Sequence, residues 1–201
     1  MSKQIAKDSQ EAVLIKSHNW KKLIELCIDK QVDGENIEYW LIIQYFCHLI
    51  QGEGDEARVL SSRADYACPK SPYLEQLKMI TLAFNNRDFS TYFSLFGNLP
   101  KNDSFAELAI IAQQSVRERN AALLEMNCAT ISLAVTSEYC GLPSEEVFKY
   151  VKARGWTYDY STKFFTIPRE IQTQARLQST KSTIDESAFM SALTSILASS
   201  K

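Results

Sequence analysis

The sequence is short of the residues that interrupt or specialise a fold. Among 201 residues there are 6 glycines and 5 prolines, too few for a low-complexity or linker-dominated chain. Histidine is scarcer still. His18 and His48 are the only two, and neither sits in an H-x-H or H-E-x-x-H arrangement, so the paired imidazoles of a hydrolytic zinc centre are missing. No glycine-rich phosphate loop occurs. No apolar run approaches the roughly 18 residues that a membrane span requires, and the stretch from Met1 to Gln10 is polar, without a signal-peptide core. The expected location is cytoplasmic and nuclear. Charge of one sign is lacking too: 22 Lys and Arg face 24 Asp and Glu, a formal net charge of -2, which advertises neither a nucleic-acid nor an acidic-membrane partner.

Cysteine is present but uncoordinated. Cys27, Cys47, Cys68, Cys128 and Cys140 form no C-x-x-C pair, and an odd, scattered set without a secretion signal reads as reduced thiols acting as small hydrophobes. Cys47 and His48 are adjacent in sequence; on a helix their side chains diverge by about 100°, which prevents nucleophile–base coupling. Catalytic residues, metal ligands and cofactor-binding residues are therefore all expected to be absent.

What is there is helical periodicity. Apolar residues make up 45% of the chain, and the glycines and prolines fall between periodic segments rather than within them. Leu23, Ile24, Cys27 and Ile28 give one face of a helix opened by Asn19. Leu41, Ile42, Tyr45, Phe46, Leu49 and Ile50 give the clearest helix, stopped by Gly52. Ala57, Leu60 and Ala64 predict a small-residue face, ended by Cys68-Pro69. Ser71-Pro72 opens the next helix as N-cap and N1 proline, and Asp88 caps another carrying Phe89, Tyr92, Phe93 and Phe96. An aromatic stripe at this spacing is read as a seam between helices rather than a ligand pocket. A long helix is expected from Phe105 to about Asn127, capped by Ser104, with Leu108, Ile111, Ala112, Ser115, Ala122 and Met126 inward.

The pattern changes at Cys128. The run from Ala129 to Leu133 is short and β-branched, Ala134 to Cys140 predicts a helix ended by Gly141, and Ser144 is placed to cap a helix through Val147, Tyr150 and Val151. Trp156 to Tyr158 and Lys163 to Ile167 predict two strands around a turn at Asp159 to Ser161. Strand, helix, turn, helix, hairpin is the order of a winged helix. Residues 169–183 read as a polar linker, and a last helix over 184–199 carries Phe189, Leu193, Ile196 and Leu197 on one face.

The run Ile131-Ser132-Leu133, with Gly141-Leu142-Pro143-x-Glu145-Glu146, Gly155-Trp156 and Ile167-Pro168-Arg169, resembles the winged-helix end of PCI domains. These are scaffold modules of the proteasome lid, the COP-9 signalosome and translation initiation factor 3. The motifs are most similar to those of the short signalosome members, while the tail Ser195-Ile196-Leu197-Ala198-Ser199-Ser200 echoes a short initiation-factor subunit. The resemblance implies a non-catalytic scaffold supporting removal of the ubiquitin-like modifier Nedd8 from cullins by an isopeptidase on another subunit.

The fold expected is mainly α: a helical-hairpin, TPR- or HEAT-like array over 1–127 without strict period, a small α+β winged helix over 128–168, the linker and the terminal assembly helix. Other PCI-domain subunits are the expected partners, with no nucleic acid, membrane or small-molecule substrate. From Ala129 to Glu170, five acids (Glu138, Glu145, Glu146, Asp159, Glu170) balance five bases (Lys149, Lys152, Arg154, Lys163, Arg169), and duplex binding needs a positive surplus. Partner contact is assigned to Ile131, Trp156, Tyr158, Phe164, Phe165 and Ile167 on the winged-helix sheet. The second partner face is Phe189, Leu193, Ile196 and Leu197 on the terminal helix.

Overall fold

The computed structural model describes residues 10–100 and 103–177. The chain divides into two compact units, Met1–Glu118 and Arg119–Lys201. The division falls inside a long helix, earlier than the change of sequence pattern at Cys128.

In the first unit, α1 (Gln10–Lys16), α2 (Trp20–Val32), α3 (Ile37–Gln51), α4 (Gly54–Ala67), α5 (Pro72–Asn85) and α6 (Phe89–Phe96) precede α7 (Asp103–Asn127), which runs on into the second. Successive helices pack on one another from α2 through α6, and α3 also packs on α5, which builds the helical array. The N-caps are the ones the sequence advertises: Asn19 accepts from Lys22 N, Ser71 from Leu74 N and Asp88 from Thr91 N. Gly52 ends α3 in the left-handed region at φ 82°, where a side chain would be strained.

Helix α3 is the centre of this unit. Every residue from Trp40 to Ile50 is buried, including the polar face that an amphipathic helix would turn to water. Polar groups on it are satisfied by neighbours: Tyr45 Oη donates to Ser61 Oγ at 2.7 Å, and Ser61 donates onward to Ala57 O at 3.2 Å. Phe105, in the first turns of α7, packs against Tyr39 and Tyr73. Gly54 lets α5 approach the start of α4. A Cβ there would overlap the Asn85 amide, whose Nδ2 donates to Gly54 O at 3.0 Å.

Four local expectations need correction in the array. Helix α1 was not expected; Ile15, its one buried residue, anchors it beside α2, with Ala12 and Leu14 half-buried. Helix α2 continues past Ile28 to Val32. Helix α7 begins at Asp103, so Ser104 lies within it rather than capping it. Its buried stripe follows Phe105, Leu108 and Ala112 but then runs through Val116, Asn120, Ala121, Leu124 and Glu125, while Ala122 and Met126 are only half-buried. The stripe admits Asn120 because its Nδ2 donates to Tyr139 O at 2.7 Å, a pairing that apolar periodicity does not reveal.

The second unit holds the end of α7, β1 (Thr130–Ser132), α8 (Leu133–Cys140), α9 (Ser144–Ala153), β2 (Thr157–Asp159) and β3 (Phe164–Thr166). The sheet has the order β1-β3-β2, antiparallel throughout, with Ile131 opposite Phe165 and Tyr158 opposite Phe165. Leu124, Ile131, Val147, Val151, Trp156, Phe165 and Ile167 form its core. Ser144 does not cap α9: it is the first helical residue, Pro143 stands at the N-cap, and the Pro143 carbonyl accepts from Glu146 N and Val147 N. Residues 169–177, expected as linker, are helical. One apolar side chain is enough to dock them: Ile171 packs on the winged-helix core, and Arg176 Nε donates to the Met126 carbonyl near the end of α7 at 3.0 Å. The terminal helix expected over 184–199 lies outside the described residues.

Candidate functional site: the winged-helix sheet

Period-two alternation divides the residues assigned to the sheet. Phe165 faces the core with Ile131 and Tyr158, while Phe164 faces outward between Ser132 and Asp159. Apart from Asp159, the rest of the outer face is hydroxyl-bearing: Thr130, Thr166 and Thr157 form its second row. Ile131, Trp156, Phe165 and Ile167 are buried in the module's own core. Only Phe164, 43% exposed, and half-buried Tyr158 present side chains to a neighbour. Consecutive aromatics in a strand cannot share a face, so the reading that grouped Phe164 with Phe165 joined an accessible side chain to an inaccessible one. Phe189, Leu193, Ile196 and Leu197 fall outside the described residues.

Trp156 is held by a charge staple that the sequence did not disclose. Glu125, 6% exposed, accepts from Arg154 Nε at 2.8 Å and Nη2 at 2.9 Å, and from Trp156 Nε1 at 3.0 Å. A buried carboxylate is tolerated when both oxygens are engaged. The staple ties α7 to the end of α9 and the start of β2. No local pattern signals it, because Glu125 precedes Arg154 by 29 residues.

The hairpin turn is set by Asp159, whose carboxylate accepts from Ser161 N and Oγ and from Thr162 Oγ1. These hydrogen bonds pull its pKa down to about 2. They also stand Tyr160 out to solvent, 83% exposed. Phe148, Tyr158 and Tyr160 then meet edge to face, with centroids 4.8 and 5.0 Å apart. Tyr160 is accessible yet was read only as a turn residue, and half-buried Phe148, which packs against the core beneath Tyr158, was not singled out. The signal that could have found Tyr160 is its spacing of two from Tyr158.

No strand pairs with the outer side of β1 or β2 among the described residues. The site thus offers two short backbone edges, an outward phenylalanine and an aromatic strip beside β2. The exposed first turn of the second winged-helix helix carries Glu145 and Glu146, a poor surface for phosphates.

Comparison with known proteins bears on this arrangement directly. The pattern of the CSN8/PSMD8/EIF3K family matches residues 37–175, from the start of α3 into the helix after β3. The chain belongs to this family. Membership in the CSN8/PSMD8/EIF3K family covers the greater part of the helical array and the whole winged helix. The chain is also similar to COP9 signalosome complex subunit 8 of Dictyostelium discoideum, with 24% identity over 173 residues, 82% of this chain and 85% of that protein.

Elsewhere the chemistry is quiet. No group of three or more His, Cys, Asp or Glu is placed to hold a metal among the described residues. Cys27, Cys47 and Cys140 are buried, and burial raises the Cys27 thiol to about 12 and the Cys47 thiol further still, well away from a nucleophilic thiolate. No described helix is long and apolar enough to cross a membrane.

Proposed function

We propose that this chain is a non-catalytic scaffold subunit of the COP9 signalosome, supporting removal of Nedd8 from cullins and so the regulation of cullin-RING ubiquitin ligases in cytoplasm and nucleus. The observation that carries the reading is the winged-helix sheet: both outer strands are open along their backbone among the described residues, while the core beneath them is complete. Such an edge accepts a strand from a neighbouring sheet. Phe164 and the strip of Phe148, Tyr158 and Tyr160 supply side-chain contacts beside it. The neighbours are other PCI-domain subunits, and the stripe of Phe189, Leu193, Ile196 and Leu197 enters a helical bundle shared with them. Isopeptidase chemistry belongs to another subunit, in keeping with a histidine inventory of two. The similarity to a signalosome subunit from Dictyostelium supports this reading. The family's breadth and the Ser195 to Ser200 tail support the alternative of the k subunit of initiation factor 3 or a short proteasome-lid subunit.

Affinity capture from native extract separates these readings, because the partner sets are disjoint. Signalosome subunits are expected, and recovery of initiation-factor or proteasome-lid subunits in their place overturns the proposal. Deletion of residues 184–201 tests the bundle: co-purification should fall while thermal unfolding of the isolated chain stays unchanged. Unaltered incorporation would leave the sheet edge as the sole attachment.

A further inference from the structure

Far from the sheet in sequence, the array carries an open groove of about 430 Å³ between α2, α3 and α4. Ile37, Leu41, Ala67 and Tyr66 give it apolar walls, and Gln31 and Arg63 give it a polar lip. Tyr66 is 93% exposed and Ile37 is also exposed, so large apolar groups stand in water at its mouth. The volume lies in the range of sites that take a few large side chains.

Arg63 is what makes the groove selective. Its Nη2 donates to Gln31 Oε1 at 2.9 Å, a neutral acceptor, and among the described residues no carboxylate pairs with it. The nearby acids are engaged elsewhere: Glu35 with Lys30, Asp65 with Lys78, and Glu38 as acceptor from Ser71. The remaining guanidinium N–H groups are free for a carboxylate fork.

The placement of Arg63 is built from the core outward. Gln31 Nε2 donates to Gln44 Oε1 at 2.9 Å; Gln44, 4% exposed within α3, turns its Nε2 toward His48 Nε2 at 3.4 Å. His48 Nδ1 in turn meets Glu53 at 2.8 Å. With its amide nitrogen committed inward, Gln31 must turn its oxygen toward Arg63. A line of polar groups through an otherwise apolar helix is costly to bury unless each is satisfied, and this one terminates at the groove.

We propose that this groove docks a segment of a partner polypeptide that carries a large apolar side chain beside a carboxylate, in effect an acidic amphipathic stretch. The apolar side chain enters between Leu41 and Tyr66, and the carboxylate takes the free edge of Arg63. A basic segment is repelled by Arg63. A polyanion such as RNA finds one cation over an apolar floor, which does not track a phosphate backbone. The inference does not depend on which complex the chain joins.

The test uses the full chain and a capped peptide of about twelve residues with leucines and glutamates at helical i, i+3, i+4 spacing, together with its counterpart in which every Glu is Gln. Binding is followed by NMR at the Gln31 side-chain amide, the Arg63 Nε–H and the Leu41 methyls. The acidic peptide should shift all three and bind about tenfold more tightly than the glutamine peptide, as expected for one charge-assisted contact. In Arg63→Gln, whose side chain is at the surface, the preference should vanish while the thermal unfolding curve is retained. Tyr66→Ala should weaken both peptides alike. Equal affinity for the two peptides, shifts confined to another surface, self-association through the groove, or no binding up to about 1 mM would each overturn the proposal.

Discussion

The two units satisfy their buried polar groups differently, His48 of α3 with its Glu53 partner being the exception in the array. In the array, α3 is so thoroughly enclosed that its tyrosine and glutamine are matched by neutral partners: Tyr45 with Ser61, and Gln44 with Gln31. In the winged helix, where seven residues make up the core cluster, the corresponding task falls to an ion pair, Glu125 with Arg154, and to the Trp156 indole N–H that shares the carboxylate. A large core tolerates small losses at any one neutral contact. A small one that rests on charge is stable while the pair is whole and fails when one member is removed.

The sharpest way to break the comparison is Glu125→Ala. It removes the carboxylate shared by the Arg154 guanidinium and the Trp156 N–H, and because the Arg154 side chain is 23% exposed a loss of about 3 kcal/mol is expected, the low end of the range for breaking a buried pair. Hydrogen exchange should show it in residues 119–177, and a loss below about 1 kcal/mol would show that water replaces the carboxylate without penalty. Next in size is Gly54→Ala, whose methyl group meets the Asn85 amide. About 1–3 kcal/mol is expected from overpacking, read by urea unfolding and localised by exchange to α4 and α5. Tyr45→Phe should be smaller, about 1 kcal/mol, because Ser61 still donates to Ala57 O and is not orphaned. A loss as large as that of Glu125→Ala would erase the distinction between the two cores.

The smallest effect is one of pH. Asp159 titrates at about 2 in the folded hairpin, below the ordinary carboxylate value of 3.8. Its contribution to the turn is therefore complete above pH 3.8 and fades as the pH falls through about 2. The Ser161 amide resonance should titrate with that low midpoint, and Asp159→Asn should abolish the transition. A midpoint at the ordinary value would mean that the turn does not hold the carboxylate.

The comparison also explains what could be read from the sequence. Helix ends were legible where one residue acts on its own backbone: Asn19, Ser71, Asp88, Gly52 and Gly141 all do as their residue types dictate. The order of elements in the winged helix was legible for the same reason. Hidden features depend on distant partners. Asn120 and Glu125 turn inward because of Tyr139, Arg154 and Trp156, and the polar stretch at 169–177 folds because Ile171 and Arg176 find docking points made by other segments. At the candidate site, the aromatic residue types were visible while their sides were not. A slip of one position along a three-residue strand decides between core and surface.

The shortness of those strands has a consequence for exchange. Each open edge is three residues long, so an added strand gains only about two or three backbone hydrogen bonds, of roughly 1 kcal/mol each. Association through an edge alone would be brief, weaker than a millimolar contact, which takes about 4 kcal/mol. The same brevity protects the free chain, since an edge of three residues is too short to template a growing fibre. A subunit joined in this manner is held through several weak attachments made at once, and its hold weakens sharply when one of them is withdrawn.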